Sequence, residues 1–215
     1  MNAKYRFVFF DVDSTLVTIE GIDVLANGHP EIVRLTEAAM NGEIALDEVY
    51  GRRLEIIRPT LADVEALGER YTQSLVDGVE ETIATLQSLH VDVHLVTAGI
   101  AQAVAPLARK LGLAPRAVHA VPLQFDDQGR YVDFDRRSFL TKAGGKDLVV
   151  RSILSRSKGR SAFIGDGVSD LETKPAVSLF VGFGGVHTRA RVKENAEVYV
   201  SEPTLKAILP YLVEP

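Results

Sequence analysis

The chain has 215 residues, 46% hydrophobic and 25% charged, the balance of a globular protein with room for one core and a small lid. Its 24 Lys and Arg against 29 Asp and Glu give a net charge of −5, which offers no basic footprint for nucleic acid. It has no cysteine, so disulfides, thiolate metal sites and thiol catalysis are excluded.

In chain order, the opening MNAKYRFVFFDVD carries charges too early, and too short an apolar run, for a signal peptide. No window approaches the roughly 18 apolar residues of a membrane span. The expectation is a cytoplasmic protein without a membrane partner. Residues 6–10 read as a buried strand that runs straight into Asp11 and Asp13. Over 17–73 no strand is expected. EIVRLTEAAM, LDEVYGRRLEII and TLADVEALGERY have helical spacing, with breaks at Gly42 and Pro59. A helical insertion directly after the first strand would sit over the strand ends as a lid.

Residues 78–89 place Val79, Ile83, Leu86 and Leu89 on one helical face, 91–96 read as a strand, and 100–111 as a further helix. Residues 123–134 alternate around Asp127-Gln128-Gly129, which predicts a β-hairpin. A helix over 146–154, strands over 162–164 and 179–181, and an edge strand over 197–200 follow. This alternation predicts an α/β fold: a doubly wound parallel sheet, covered by helices on both faces, with a helical cap after the first strand and a small hairpin. The division expected is a core of 1–16 and 74–215 and a cap of 17–73. Such a sheet binds ligands at the carboxyl ends of its strands. Asp11, Asp13, Thr97 and Asp166 all fall at such ends.

In an extended chain, residues i and i+2 face the same way, about 6.5–7 Å apart at Cα. One carboxylate of such a pair can attack phosphorus to give an aspartyl phosphate. The other can protonate the leaving alcohol and later take a proton from water. Charge on the phosphate oxygens must also be neutralised. Asp166 with Asp11 could hold Mg²⁺, a hard ion that prefers oxygen ligands. Lys146 could act as a point charge, Thr97 could donate a hydroxyl hydrogen bond, and Gly99 would let backbone approach. Singly, each has an ordinary structural reading: DVDST as a helix N-cap, GDG as a turn, Lys146 as a surface lysine. Their order along the chain is the specific signal.

That order, Asp11-x-Asp13-Ser14-Thr15, then Thr97, Lys146 and Gly165-Asp166-Gly167-x-x-Asp170, resembles the haloacid dehalogenase-like phosphohydrolases. FDVDSTLVTIEGIDVLA, AAMNGEIALDEVYGRRLEII, GGK, GDGVSD and VGFGG with VKENAEVYV resemble the phosphoserine phosphatase branch over nearly the whole length. The resemblance implies a Rossmann-like core and a small phosphate ester as partner, phosphoserine first among them, with serine biosynthesis as the setting. It implies Asp11 as nucleophile, Asp13 as general acid and base, and Mg²⁺ on Asp11, the Asp13 carbonyl and Asp166. Ser14, Thr97 and Lys146 would hold the phosphate, with Ala98 and Gly99 beside it. Asp170 would support the metal site, or Lys146, from close by, with Ser169 and Gly167 as further supporting residues. In the cap, Glu20 would meet the substrate ammonium, Arg53 its carboxylate, and Met40 would pack over it. Either a monomer or a homodimer is compatible.

Three departures lie close to the substrate. Thr97-Ala98-Gly99 stands where the family usually has Ser-Gly-Gly, Leu46 where it has a cap Phe, and Ser169 where it has a larger Asn or Thr. None removes a catalytic group. The competing readings are a phosphatase of another small ester, a phosphotransferase with an alcohol acceptor, a hydrolytic dehalogenase, a receiver-type signalling module and an inactive phospholigand-binding relative. The late GDGxxD and the long helical insertion argue against the receiver. Asp13 argues against the dehalogenase. The presence of Asp11, Asp13, Lys146 and Asp166 argues against an inactive relative.

Overall fold

FVFF has no polar face to turn toward water, so it needs cover on both sides, and in the computed structural model, described for residues 2–214, it lies at the middle of a sheet. The strands in chain order are β1 (Asn2–Ala3), β2 (Phe7–Phe10), β3 (Asp92–Ile100), β4 (Val118–Val121), β5 (Leu123–Phe125), β6 (Tyr131–Phe134), β7 (Ser161–Gly165), β8 (Leu179–Phe183), β9 (Val198–Val200) and β10 (Val213–Glu214). The α-helices are α1 (Gly21–Leu25), α2 (Pro30–Met40), α3 (Leu46–Ile57), α4 (Leu61–Gln73), α5 (Val79–Ser88), α6 (Ala101–Lys110), α7 (Gly145–Leu154), α8 (Val168–Leu171), α9 (Ala190–Asn195) and α10 (Leu209–Leu212).

Six strands form one parallel sheet in the order β4-β3-β2-β7-β8-β9. The chain winds outward from β2 toward β4, then returns to β7 and winds the other way. The connectivity therefore reverses between β2 and β7, where a crevice opens at the carboxyl ends. One face of the sheet carries a row of rings from His94 through Phe9 and Phe163 to Phe180, with centroids 5.4, 6.3 and 6.3 Å apart. The tail ILPYLV buries Ile208, Leu212 and Val213 and pairs β10 with β1, so it covers a core edge.

The helices α1–α4 fill the segment between β2 and α5. Helix α4 starts at a capping box: Thr60 Oγ1 accepts from the Asp63 N–H at 3.2 Å, and Asp63 Oδ2 accepts from the Thr60 N–H at 2.8 Å. The tip of the β5–β6 hairpin supports this end, since the Leu61 N–H donates to the Gly129 carbonyl at 2.8 Å. Phe134 of the hairpin packs edge-on against Tyr50 of α3, with centroids 5.1 Å apart. Further along, Gly68 lets α4 lie close on α6: a Cβ there would sit 3.0 Å from Pro106 Cγ and 3.2 Å from the Ala103 carbonyl.

The observed elements differ from the sequence reading in a few places. That reading contains no strand over 118–121; VHAV is short and only partly buried, so it lacks the apolar run of an inner strand. Strand β3 runs on to Ile100, past the Val96 limit of the apolar run. Helix α1, five residues long, is too short to show a period.

Candidate active site

The site begins where β2 ends. The Asp11 N–H donates to the Ile164 carbonyl at 3.0 Å, which fixes Asp11 beside β7. Ser14 then adopts a left-handed φ of 53°, and the N–H groups of Thr15, Leu16 and Val17 turn back to the Val12 carbonyl at 3.2, 2.8 and 3.1 Å. This curl brings the carboxylates of Asp11 and Asp13 to one cavity of about 80 Å³. Thr97, Ala98 and Gly99 line it from β3, Lys146 from α7 and Ser169 from α8. Glu20, Met40, Leu46 and Arg53 line it from the helical insertion. Residues that the sequence reading named in five separated stretches thus line one pocket in the structure. Ser14, Asp166, Gly167 and Asp170 lie outside its lining.

At the core end, Lys146 is 5% exposed, with Nζ 2.7 Å from Asp11 Oδ1 and 2.5 Å from Asp170 Oδ1. Burial works against its ammonium form, yet the charges of Asp11 and Asp170 hold its pKa above the usual lysine value. Asp170 Oδ2 accepts from the Gly167 N–H at 2.9 Å. Burial and the Asp11 charge raise Asp170 to about 7. Asp166 is 1% exposed and raised well above the ordinary carboxylate range, by burial first and then by Glu20, Asp170 and Asp11.

The carboxylates of Asp11, Asp166 and Asp170 offer oxygens within 4.8 Å of one another. Asp11 Oδ1 has the Lys146 ammonium beside it at 2.7 Å, whereas Asp166 Oδ2 is buried without a hydrogen-bond donor; Arg189 Nε approaches it only to 3.6 Å. Three clustered buried carboxylates, with one lysine against two of them, carry surplus negative charge that a hard divalent cation would neutralise. The donor set fits such an ion. Asp170 is the third carboxylate of this cluster, beside Asp11 and Asp166. Gly165 makes this possible, because a Cβ there would fall 2.3 Å from Asp170 Cγ.

Asp13 faces the insertion instead. Its Oδ1 accepts from Tyr71 Oη at 2.6 Å and from the Gly21 N–H at 3.1 Å. Burial raises Asp13 to about 7; the Tyr71 hydrogen bond pulls it down and the Asp11 charge pushes it up. A carboxyl group poised near neutrality can both give and take a proton. Ser14 also turns toward the insertion, donating from Oγ to Glu20 Oε1 at 2.5 Å. Burial, then the Asp13 charge, raise Glu20 to about 8. Thr97 Oγ1 accepts from the Gly99 N–H at 3.0 Å, and the Ala98 carbonyl accepts from Tyr50 Oη at 3.0 Å. Met40 reaches over Gly167, where a Cβ would meet its Cε at 2.9 Å.

Arg53 is 6% exposed; Nη1 donates to Thr36 Oγ1 at 3.1 Å and Nε has no partner. Burial lowers its pKa, although a guanidinium stays protonated at neutral pH. Sequence reasoning missed Tyr71, Tyr50, Gly21 and Arg189. Only the aromatic residues in otherwise amphipathic helices offered any signal, and that pattern reads equally well as core.

The seating of Lys146 is tight. A Cβ on Gly145 would lie 1.8 Å from the Phe139 carbonyl oxygen. Gly145→Ala is expected to cost about 1–3 kcal/mol and to displace Lys146. Urea unfolding checks the first effect and turnover measurements the second; wild-type values in both would show that the loop yields freely.

A parallel sheet with an acidic crevice at its switch point, a buried lysine and a helical cover defines a class of hydrolase. Residues 8–173 match the family model of the haloacid dehalogenase-like hydrolases, and the chain belongs to that family. Among curated relatives, the phosphoserine phosphatase of Bos taurus is 34% identical over 91% of this chain and 88% of its own. That of Homo sapiens is also 34% identical, with the same coverage. A solved structure described as a phospho-aspartyl intermediate analogue of phosphoserine phosphatase superposes with a TM-score of 0.84 at 26% identity, covering 98% of this chain and 100% of that one. Among the described residues, no helix is long and apolar enough to cross a membrane.

Proposed function

We propose that this chain is a Mg²⁺-dependent phosphomonoesterase that hydrolyses L-phosphoserine to serine, in the cytoplasm, as a step of serine biosynthesis. One observation carries the reading: a single cavity is lined both by Asp11, Asp13 and Lys146 and by Glu20 and Arg53. The first group matches a phosphate, the second the ammonium and carboxylate of an amino acid. The 34% identity to phosphoserine phosphatases supports the same assignment. Residues 17–73 act as the cap, and 1–16 with 74–215 as the core.

An Asp11 carboxylate oxygen attacks phosphorus, and the P–O bond to serine breaks. The Asp13 carboxyl gives its proton to the departing serine oxygen. Water then attacks the aspartyl phosphate, Asp13 takes its proton, and phosphate leaves with the Asp11 carboxylate restored. Lys146 and Thr97 hold the phosphate oxygens. Asp11, Asp166 and the Asp13 carbonyl would hold Mg²⁺, with Asp170 beside them. When bound, this ion supplies charge neutralisation at the phosphate. Arg53, with its free Nε, takes the substrate carboxylate. The substrate ammonium faces Glu20 and favours its ionised form.

The test is phosphate release from L-phosphoserine and from glycerol phosphate at matched concentrations, with Mg²⁺ and after chelation. Fast, Mg²⁺-dependent release from phosphoserine, much slower from glycerol phosphate, is the expected result. Equal rates would retain the chemistry and remove the amino-acid head from the reading. Silence on both would remove hydrolysis.

A further inference from the structure

Tyr71 lies outside the motif stretches that carry the family resemblance, yet it makes the shortest hydrogen bond to the acid–base carboxylate. Its side chain is 1% exposed, and Oη donates to Asp13 Oδ1 at 2.6 Å. The Gly21 N–H donates to the same oxygen at 3.1 Å. Both donors come from the helical insertion, one from α1 and one from α4. Among the described residues no donor reaches Asp13 Oδ2, which faces the cavity wall at Gly99; a Cβ on Gly99 would lie 3.5 Å from it. Two N–H and O–H groups directed at Oδ1 leave the proton of a neutral Asp13 on Oδ2, where the cavity is.

The surroundings are built for this contact. A Cβ on Gly21 would fall 2.0 Å from Tyr71 Oη, so any side chain at 21 would push the hydroxyl away. Gly68, three residues before Tyr71, allows the close α4–α6 approach that sets the depth of the ring.

We infer that Tyr71 is a positioning residue: its hydroxyl, with the Gly21 N–H, holds Asp13 so that Oδ2 presents its proton to the leaving oxygen, and only while the cap is closed. The inference rests on the phosphatase reading above. It ties proton delivery to cap closure, because both donors withdraw if the insertion lifts.

The test separates leaving groups. Serine leaves as an alkoxide and needs the Asp13 proton; acetate leaves from acetyl phosphate without one. The constant kcat/KM ends at formation of the aspartyl phosphate, so the shared hydrolysis step does not blur it. Tyr71→Phe removes only the hydroxyl. It should lower kcat/KM for phosphoserine roughly 10- to 100-fold relative to kcat/KM for acetyl phosphate, the loss of one charge-assisted hydrogen bond in the transition state. Gly21→Ala should move the same ratio in the same direction. An unchanged ratio in both variants, whether both substrates are spared or both are lost equally, would overturn the inference and leave Tyr71 a packing residue. A wild-type enzyme silent on both substrates would remove the phosphatase reading itself, and this inference with it.

Discussion

Asp11→Asn is expected to lower turnover of phosphoserine by roughly 10⁴-fold or more, the scale of removing a nucleophile that acts as one unit with its partners. The substitution is nearly isosteric, so the cavity keeps its shape. An amide nitrogen cannot form the acyl phosphate, and the remaining groups can only position water. The fold should survive. Lys146 retains Asp170 at 2.5 Å, and one of three mutually repelling buried carboxylates is removed. A urea midpoint at or above wild type, measured without divalent ions, is the structural control. Mg²⁺ affinity should fall at the same time, because a ligand has been lost; phosphate release at saturating Mg²⁺ therefore isolates the chemical role. A rate within tenfold of wild type under those conditions would remove Asp11 as nucleophile.

The parts of this site that could be read from sequence share a physical property: each lies at the end of a strong apolar strand or in a short, dense motif. FVFF before Asp11, VDVHLV before Thr97 and AFIG before Asp166 leave little choice of element, and parallel strands put their ends together. Lys146 and the GDGxxD aspartates follow from the same logic. What escaped the reading depends on side-chain direction across long sequence separations. Nothing near ERYTQ says that the Tyr71 hydroxyl will meet Asp13, because i, i+3 and i, i+4 spacing only marks Tyr71 as inward-facing. Ser14 was read as a hydroxyl for phosphate; its left-handed φ of 53° and its hydrogen bond to Glu20 were not legible. Asp170 was legible as support; that it folds back to complete the carboxylate cluster depends on the missing Cβ of Gly165, 2.3 Å from Asp170 Cγ. Arg189, in the loop after β8, looks like any surface arginine until the structure sets it 3.6 Å from Asp166.

In the proposed function, substrate identity turns on Arg53. Its guanidinium is buried on α3 with one hydrogen bond, to Thr36, and an unpartnered Nε. A buried cation left short of acceptors costs stability. Evolution of a packing role would fill that place with an apolar side chain; a carboxylate arriving with substrate supplies the missing acceptors. Arg53→Ala is therefore expected to reduce kcat/KM for phosphoserine about 10²- to 10³-fold, the range for losing a desolvated charge-assisted pair. Phosphoethanolamine keeps the phosphate and the ammonium and lacks the carboxylate, so its kcat/KM should fall by no more than about 3-fold, within the scatter of a single mutation. Arg53→Lys keeps the charge but not the planar fork, and should recover only part of the loss on phosphoserine. Stability should change little, because the Thr36 hydroxyl keeps an acceptor for its one proton, Asp23 Oδ1 at 2.8 Å or the Ile32 carbonyl at 3.0 Å. Equal losses on the two esters would place Arg53 on the phosphate or in the scaffold. The carboxylate would then need another partner, and with it the case for an amino-acid substrate would rest on Glu20 alone.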